Sequence, residues 1–290
     1  MRITNKIVIG TAQFGMPYGI ANQNGQVHED EIAAILDLAR ESGIDTLDTA
    51  KTYGTSEEAI GKYLKKHSEH SWKICTKISD GNNSLLHQFQ DSIEKLSVCP
   101  TALLAHSAKL YVDETFHKEL QSVKEKHSIR KTGVSLYTEN EIKLVLKSDF
   151  KPDIIQLPLN ILDTRLYHHD ILHQLAEEGI EIYVRSAFLQ GLFYLPAPEL
   201  KNRFSDVVPH LKKLKSIAAD SGYTLTELSL LWLVSLEEVS KVIIGVDKAS
   251  HLEVHLQTLE KKIDARVFEE ALSVHYDNET VLNPSLWPEK

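Results

Sequence analysis

The amino-acid sequence predicts an α/β fold in which eight parallel strands close into one barrel. Along the 290 residues, eight short apolar or β-branched runs alternate with longer segments of helical periodicity, and this alternation favours parallel strands joined by right-handed crossovers. Four successive runs end at Asp48, Lys77, His106 and Ser135, at equal intervals of 29 residues, and one strand–helix unit needs about 30 residues. Eight such units in roughly 250 residues make a (β/α)8, or TIM, barrel.

Each predicted strand is a short run rich in valine, isoleucine or leucine. In chain order, the predicted strands are residues 6–10, 44–48, 72–77, 102–106, 129–135, 153–157, 180–185 and 242–245. Helical periodicity predicts helices over residues 30–42, 84–97, 168–178, 206–221 and 225–235. The last two helices share the interval before the eighth strand, because that interval is too long for a single helix.

The competing architecture is an open, doubly wound sheet. Such a sheet usually carries a GxGxxG turn after its first strand, and the segment GTAQFG, which follows the first strand here, lacks that spacing. No low-complexity stretch or linker divides the chain. We therefore expect residues 1–290 to form a single barrel domain.

Composition and charge exclude several classes of function. The chain has 41 acidic and 32 basic residues and a net charge of −9, and its basic residues do not cluster as nucleic-acid binding requires. Cys75 and Cys99 are the only cysteines and lack metal-ligand spacing, which suits a reducing compartment. Neither a signal peptide nor a membrane span is evident. We expect a cytoplasmic protein without nucleic-acid or membrane partners, and nothing in the sequence indicates its oligomeric state.

Polar residues end four successive predicted strands, where a barrel carries its active site. Each has an ordinary explanation: Asp48 as a turn cap, Lys77 as a solvated cation, His106 as a rim residue. Their common interval predicts instead that neighbouring strands bring them to one mouth. The nearby Tyr53 lies just beyond the second strand.

These side chains suit proton donation to a carbonyl oxygen. A phenol has a pKa of about 10, so Tyr53 gives up its proton near neutral pH only where the phenolate is stabilised. Lys77 can supply the positive charge, Asp48 can keep Lys77 charged and in place, and His106 can orient the substrate oxygen. No side chain donates hydride, so a reduction needs a nicotinamide cofactor.

Short motifs accompany these residues. They are DTAKTYG at residues 48–54, TK ending at Lys77, LLAH ending at His106, GVS ending at Ser135 and IIGVDKASHLEVHL at residues 243–256. In this order, over nearly the whole chain, they resemble the aldo-keto reductase superfamily. The resemblance implies a (β/α)8 barrel that reduces carbonyl compounds with NAD(P)H. It also implies that Tyr53 is the general acid, that Lys77 lowers the pKa of Tyr53, that Asp48 braces Lys77 and that His106 orients the carbonyl.

The same resemblance implies a cofactor site along the barrel mouth. Ser135 and Gln156 match positions that hold the nicotinamide carboxamide, and Asn160 matches a nearby asparagine of the family. The residues that match the pyrophosphate loop are Ser186, Phe188 and Leu192. Gly245 matches the loop that binds the adenosine phosphate, where a glycine allows close approach of the backbone to an anion.

Three positions depart from the family pattern. Lys51 replaces an acidic residue that is common after the DTA signature, and we expect it to face the solvent. Arg185 stands where many relatives stack an aromatic ring on the nicotinamide, and a guanidinium can also lie flat against a ring. Asp247 stands where relatives that prefer NADPH place a basic residue, and a carboxylate repels the 2′-phosphate. Lys248, His251 and His255 lie close in sequence and can offset that repulsion. We expect NADPH as cofactor, with NADH as the alternative because of Asp247.

We expect the substrate to be a small carbonyl compound. Two segments of the sequence are candidates for contact with it. Gln13, Phe14 and Tyr18 follow the first strand, and Trp287 lies near the carboxyl end. Both segments can reach a barrel mouth, or they simply cover the end of the barrel. The motifs TAQFGMPYG and FLQGL resemble a bacterial branch of the family linked to surface-polysaccharide and nucleotide-sugar gene clusters, which implies a sugar-derived or polar carbonyl.

Other readings of the same residues remain. Lys77 can act as the Schiff-base nucleophile of a barrel aldolase, and a barrel relative can bind NADPH without catalysis, as a sensor or scaffold. A metal hydrolase has less support, because the histidine pair His168 and His169 forms no HxH or HExxH motif. We therefore expect no metal site.

Overall fold

The structure is a computed structural model that describes residues 2–81, 83–127 and 129–287. Eight parallel strands form a closed barrel in which each strand pairs with its neighbours in chain order and β8 pairs with β1. The strands are β1 Ile7–Gly10, β2 Thr46–Asp48, β3 Lys73–Ile78, β4 Ala102–Ala105, β5 Lys131–Ser135, β6 Ile154–Pro158, β7 Glu181–Arg185 and β8 Val239–Gly245. The predicted (β/α)8 barrel is confirmed.

Helices connect the strands on the outside of the barrel. In chain order they are α1 Ala12–Gly15, α2 Glu29–Glu41, α3 Ser56–Lys66, α4 Leu85–Leu96, α5 Ala108–Tyr111, α6 Glu114–Lys126, α7 Glu139–Leu146, α8 Arg165–His168, α9 Ile171–Glu177, α10 Ala197–Arg203, α11 Val208–Asp220, α12 Leu225–Ser235, α13 Ala249–Leu259, α14 Ala265–Leu272 and α15 Glu279–Leu282. Short 3₁₀ helices cover Ile3–Lys6, Leu189–Tyr194, Ser205–Val207 and Pro284–Leu286. No helix in this part of the chain combines the length and the apolar surface that crossing a membrane requires.

Three predicted helices match observed ones closely. Each of the other two predicted helices is divided into two elements in the structure. The segment predicted over residues 168–178 is interrupted at Asp170, which has a φ of 60°. His168 therefore ends α8, and α9 starts at Ile171. The segment predicted over residues 206–221 begins as a 3₁₀ turn before α11.

The apolar core has an inner and an outer part. A small cluster that includes Cys75, Leu104 and Tyr183 fills the barrel interior, so the barrel has a solid centre, as is typical of this fold. The larger cluster lies between the strands and the surrounding helices. This core holds the carboxyl ends of the strands in fixed positions, and the functional site lies there.

Candidate active site

A cavity of about 580 Å³ opens at the carboxyl ends of the strands. Its wall includes Gly10, Asp48, Ser135, Arg185 and Gly245, which are the last residues of β1, β2, β5, β7 and β8. The predicted site residues that line it are Gln13, Tyr18, Asp48, Tyr53, His106, Ser135, Arg185, Ser186, Phe188, Gly245, Asp247, His251 and His255. The barrel therefore brings most of the predicted residues to one cavity.

A close backbone crossing fixes the position of Tyr53. Gly54 follows it with a φ of 57°, which is a left-handed conformation that glycine adopts without strain. A Cβ on Gly15 of α1 would lie 1.8 Å from the Tyr53 carbonyl oxygen. The Thr55 amide donates to the Gly15 carbonyl across the same crossing, over 3.2 Å. α1 thus supports the turn that carries Tyr53.

Lys77 lies fully buried beside Tyr53, and its ammonium group is surrounded by four oxygen atoms. Its Nζ lies 2.9 and 2.7 Å from the two carboxylate oxygens of Asp48, 2.9 Å from the Thr49 carbonyl oxygen and 3.4 Å from the Tyr53 hydroxyl. Burial alone would lower the pKa of Lys77, but the Asp48 carboxylate, together with Tyr53 and Cys75, more than offsets burial and raises the pKa above its ordinary value. Lys77 is therefore a buried ammonium at neutral pH.

The environment keeps Tyr53 protonated and His106 neutral. Burial raises the pKa of Tyr53, and the charge of Lys77 opposes only part of that rise. Burial, with the positive charges of Lys77 and Arg185, lowers the pKa of His106 to about 4. The His106 ring lies edge-on to Tyr53 at 6.3 Å between centroids, and its Nδ1 lies 3.3 Å from the Thr52 hydroxyl. The cavity thus holds a protonated phenol beside a neutral imidazole.

Gln156 and Asn160 lie behind the wall of the cavity. Gln156 is fully buried, and its Nε2 donates to an Asp48 carboxylate oxygen at 2.8 Å. Its Oε1 has no hydrogen-bond partner among the described residues. Asn160 is also fully buried and donates from Nδ2 to the Ser186 carbonyl oxygen at 3.1 Å. Asn160 therefore holds the loop after β7 in place.

Arg185 is held against an aromatic ring. Its guanidinium carbon lies 3.9 Å from the centroid of the Tyr137 ring, and one terminal nitrogen donates to the Leu136 carbonyl oxygen at 2.9 Å. The guanidinium charge acts on Tyr18, Tyr53 and His106. Arg185 thus brings a positive charge, fixed in orientation, to the end of the cavity that carries Tyr53 and His106.

The other end of the cavity combines aromatic and acidic side chains. Phe188 stacks on the His255 ring at 4.8 Å between centroids. Burial and the neighbouring His251 lower the pKa of His255 to about 4. An Asp247 carboxylate oxygen lies 2.6 Å from His251 Nδ1, and Glu227 also lines this end. A flat apolar surface therefore adjoins carboxylates here.

Besides the buried Lys77, Gln156 and Asn160, four predicted residues do not line the cavity. Phe14 and Leu192 are fully buried in the core, because the helical turns that carry them face the barrel. Lys248 precedes α13 and does not line the cavity. Trp287 packs against Phe204 at 4.9 Å between ring centroids. These four side chains therefore support the surroundings of the cavity without facing it.

Residues that were not predicted from the sequence complete the cavity wall. They include Asn22, Tyr137, Gln190, Tyr194, Thr226 and Glu227. A backbone hydrogen bond from the Ile20 amide to the Gln190 carbonyl oxygen, 2.9 Å long, joins the loop after β1 to the loop after β7. Tyr137 could have been predicted from the sequence, because it lies two residues beyond Ser135, the polar residue that ends β5.

Comparison with known proteins agrees with this architecture. The chain is 24% identical to L-galactose dehydrogenase of Arabidopsis thaliana, over 91% of this chain and 89% of that protein. It is 26% identical to the oxidoreductase YqkF of Bacillus subtilis, over 79% of this chain and 82% of that protein. The structure resembles the holo form of the aldo-keto reductase AKR11C1 of Bacillus halodurans with a TM-score of 0.78, at 22% identity, covering 93% and 92% of the two chains.

A family model covers most of the sequence. The model of the Aldo/keto reductase family matches residues 6–274, a range that includes all eight strands and the predicted catalytic residues. The chain is therefore an oxidoreductase that belongs to the aldo/keto reductase family.

Proposed function

We propose that the protein reduces an aldehyde or ketone to the alcohol, with a nicotinamide dinucleotide as hydride donor and Tyr53 as general acid. The observation that carries this proposal is the 3.4 Å contact between the Tyr53 hydroxyl and the buried Lys77 ammonium at the cavity wall. A phenol in this setting has a proton to donate and a cation beside it to stabilise the phenolate that remains.

Ser135 on the wall of the cavity and the buried Gln156 behind that wall suit a nicotinamide carboxamide. The buried Gln156 Oε1 is an acceptor without a partner in the described structure, and Ser135 pairs in register with Gln156 on the adjacent strand. An amide group offers both the donor and the acceptor that these side chains need. When bound, a reduced nicotinamide supplies the hydride that side chains cannot.

The chain's own residues then handle the proton. His106 is neutral, and in the tautomer that accepts from the Thr52 hydroxyl at Nδ1 its Nε2 carries a proton that it can donate to the carbonyl oxygen. Tyr53 donates its hydroxyl proton to that oxygen as the carbonyl carbon is reduced, which leaves a phenolate. Lys77 stabilises the phenolate, and solvent restores the proton. Asp48 holds Lys77 in its charged state throughout.

The aldolase alternative loses support from the same contacts. A Schiff base requires an unprotonated amine with free access to a carbonyl carbon. Lys77 Nζ is enclosed by oxygen atoms, and the Asp48 carboxylate raises its pKa. Lys77 therefore acts through its charge.

Exchange of Tyr53 for phenylalanine tests the reaction. We expect Tyr53→Phe to abolish reduction of a panel of aldehydes and ketones while cofactor binding, measured by fluorescence titration, stays within a few fold of wild type. Tyr167→Phe serves as the control, because Tyr167 packs on Trp232 outside the cavity. Unchanged turnover in Tyr53→Phe would refute the assignment. Cofactor binding by the wild type without turnover on any carbonyl would favour the sensor or scaffold alternative.

We further propose that the acidic end of the cavity favours NADH over NADPH. Asp247 can accept hydrogen bonds from ribose hydroxyls and repels a 2′-phosphate. Three side chains were expected to offset this repulsion. His255 is kept neutral by its lowered pKa, Lys248 lies outside the cavity, and His251 is already engaged by the Asp247 carboxylate at 2.6 Å.

Charge reversal at Asp247 tests this preference. We expect Asp247→Arg to raise the ratio of NADPH affinity to NADH affinity by roughly tenfold, the effect of one nearby charge at partial exposure. Glu260→Arg makes the same change of charge at the exposed end of α13 and should leave the ratio unchanged. Equal ratios in wild type and Asp247→Arg would remove Asp247 from the cofactor site.

A further inference from the structure

A second cluster of polar side chains lies at the opposite end of the barrel from the cavity. Asp37 belongs to α2, His67 directly follows α3, and His70 lies in the turn that leads to β3. A turn between a helix and the next strand lies at the amino ends of the strands, away from the catalytic face. None of these side chains lines the cavity. Their role is therefore separate from carbonyl reduction.

The donor atoms of this cluster converge. A carboxylate oxygen of Asp37 and one ring nitrogen each of His67 and His70 lie within 4.8 Å of one another. Donors in a tetrahedral zinc site lie about 3.4 Å apart, since each Zn–N or Zn–O bond is about 2.1 Å. Each of the three atoms would need to shift by less than about 1 Å to share one ion. In residues 2–81, 83–127 and 129–287, no other group of three such side chains meets this distance.

Tyr63 of α3 holds the cluster in place. Its hydroxyl donates to Asp37 Oδ1 at 2.7 Å and lies 3.4 Å from His70 Nδ1. Its ring, only 4% exposed, stacks on the His67 ring at 4.3 Å between centroids. One aromatic residue therefore contacts all three donor side chains. This arrangement reduces the conformational entropy that binding would otherwise cost.

Glu69 orients the imidazole of His70. A Glu69 carboxylate oxygen lies 3.0 Å from His70 Nε2, so Nε2 carries the proton, and Nδ1, 3.4 Å from the Tyr63 hydroxyl, keeps its lone pair for an ion. A carboxylate that accepts from the second nitrogen of a ligating histidine is the usual support of a metal site. Glu69 also adds a second negative charge, which favours a cation.

We propose that Asp37, His67 and His70 bind one divalent ion of the zinc class and thereby tie α2 to the turn between α3 and β3. Two imidazole nitrogens and one carboxylate oxygen suit zinc, nickel, cobalt or copper, whereas calcium and magnesium take oxygen ligands. Water completes the coordination, because the cluster is partly open to solvent. The ion is structural, since α2 and α3 flank the strand that carries Asp48.

Titration with ZnCl₂ tests this site on the full-length protein after removal of metal with EDTA. We expect calorimetry to give one equivalent of bound Zn²⁺, and we expect the melting temperature to rise by several degrees at saturating Zn²⁺. Asp37→Asn and the double variant His67→Asn/His70→Asn should weaken Zn²⁺ binding at least tenfold. Asparagine at position 37 can still accept from Tyr63, so Asp37→Asn keeps the fold intact. Turnover should match wild type in each variant.

The control is a second pair of neighbouring histidines. His168 and His275 have ring centroids 5.1 Å apart but do not belong to a group with three donors. The double variant His168→Asn/His275→Asn should bind Zn²⁺ like wild type. Absence of Zn²⁺ binding, binding that the Asp37 and His67/His70 variants leave unchanged, or an equal loss in the control variant would overturn the proposal.

Discussion

Lys77 and Asp48 form a buried ion pair that serves the site at a cost in stability. Moving two charges out of water costs several kcal/mol per ion, and mutual attraction offsets this only with good geometry and further hydrogen bonds. Both Asp48 oxygens and the Thr49 carbonyl oxygen contact Lys77 Nζ, and Gln156 donates to Asp48. Each charge is therefore compensated only while the other is present.

Exchange of Lys77 for methionine should affect both stability and catalysis. It leaves Asp48 as an unpaired buried charge, which we expect to lower the free energy of unfolding by about 3–5 kcal/mol. It also removes the cation beside Tyr53, and we expect kcat to fall by about 10²- to 10⁴-fold. Urea denaturation and steady-state kinetics at a temperature where the variant is folded measure the two effects.

The matched control lies on the same strand. Lys73 begins β3 and pairs with Asp45 in an exposed contact, where 59% of its side chain is accessible. An exposed ion pair contributes at most about 1 kcal/mol, so Lys73→Met should keep the kcat of wild type and nearly its stability. A folded Lys77→Met with wild-type kcat would show that Tyr53 needs no cation.

At the scale of elements, the strand ends are what the sequence predicts best. Asp48, Lys77, His106 and Ser135 interrupt apolar runs at a fixed interval, and a barrel converts that interval into a common position at the mouth. The repeat interval and the apolar runs of buried strands each extend over several residues. Both can therefore be recognised in a single sequence. β4 ends one residue before His106. This exact end depends on hydrogen bonding to β3, and the pattern of apolar residues cannot predict it.

The loops of the site are less predictable because they have no period. Tyr137 reaches the cavity, and Thr52 reaches the His106 imidazole, through turn geometry. Phe14 follows β1 in a segment that looks like a loop, yet it forms a short helix and turns its ring into the core. Tertiary contacts determine the positions of these three side chains, and the sequence pattern does not encode such contacts.

The crossing of α1 under the Tyr53 turn can be tested by adding one methyl group. In Gly15→Ala, the new Cβ would overlap the Tyr53 carbonyl oxygen and the Ser56 amide nitrogen, both of which are backbone atoms. We expect the turn to shift, kcat to fall at least tenfold, and the free energy of unfolding to drop by about 1–3 kcal/mol, as overpacking typically costs. Kinetics and chemical denaturation measure these changes.

Gly81→Ala provides the comparison for that change. A Cβ at Gly81 meets no atom within 4 Å, so this variant should resemble wild type in kcat and in stability. If Gly15→Ala also matches wild type, then the crossing does not position Tyr53, and the phenol must be held chiefly by its contact with Lys77.

At the scale of the whole molecule, buried neutral histidines couple stability to pH. The folded state lowers the pKa of His106 and of His255 to about 4, whereas an ordinary histidine has a pKa of 6.5. Between pH 6.5 and pH 4 the unfolded chain therefore binds more protons than the folded chain at these two positions. Stability contributed by the neutral rings is full above pH 6.5 and is lost as the pH falls toward 4.

Removal of one buried imidazole should weaken this acid sensitivity. His255 is 7% exposed, and its shift corresponds to a contribution on the order of 3 kcal/mol. We expect His255→Phe, which can keep the stack on Phe188, to lose less stability between pH 7 and pH 4.5 than wild type does in urea denaturation. His87→Phe on α4 removes an exposed imidazole and should follow the wild-type profile. If wild type and His255→Phe lose equal stability over this range, protonation of His255 is not what limits the fold in acid, and carboxylates in ion pairs must account for the loss.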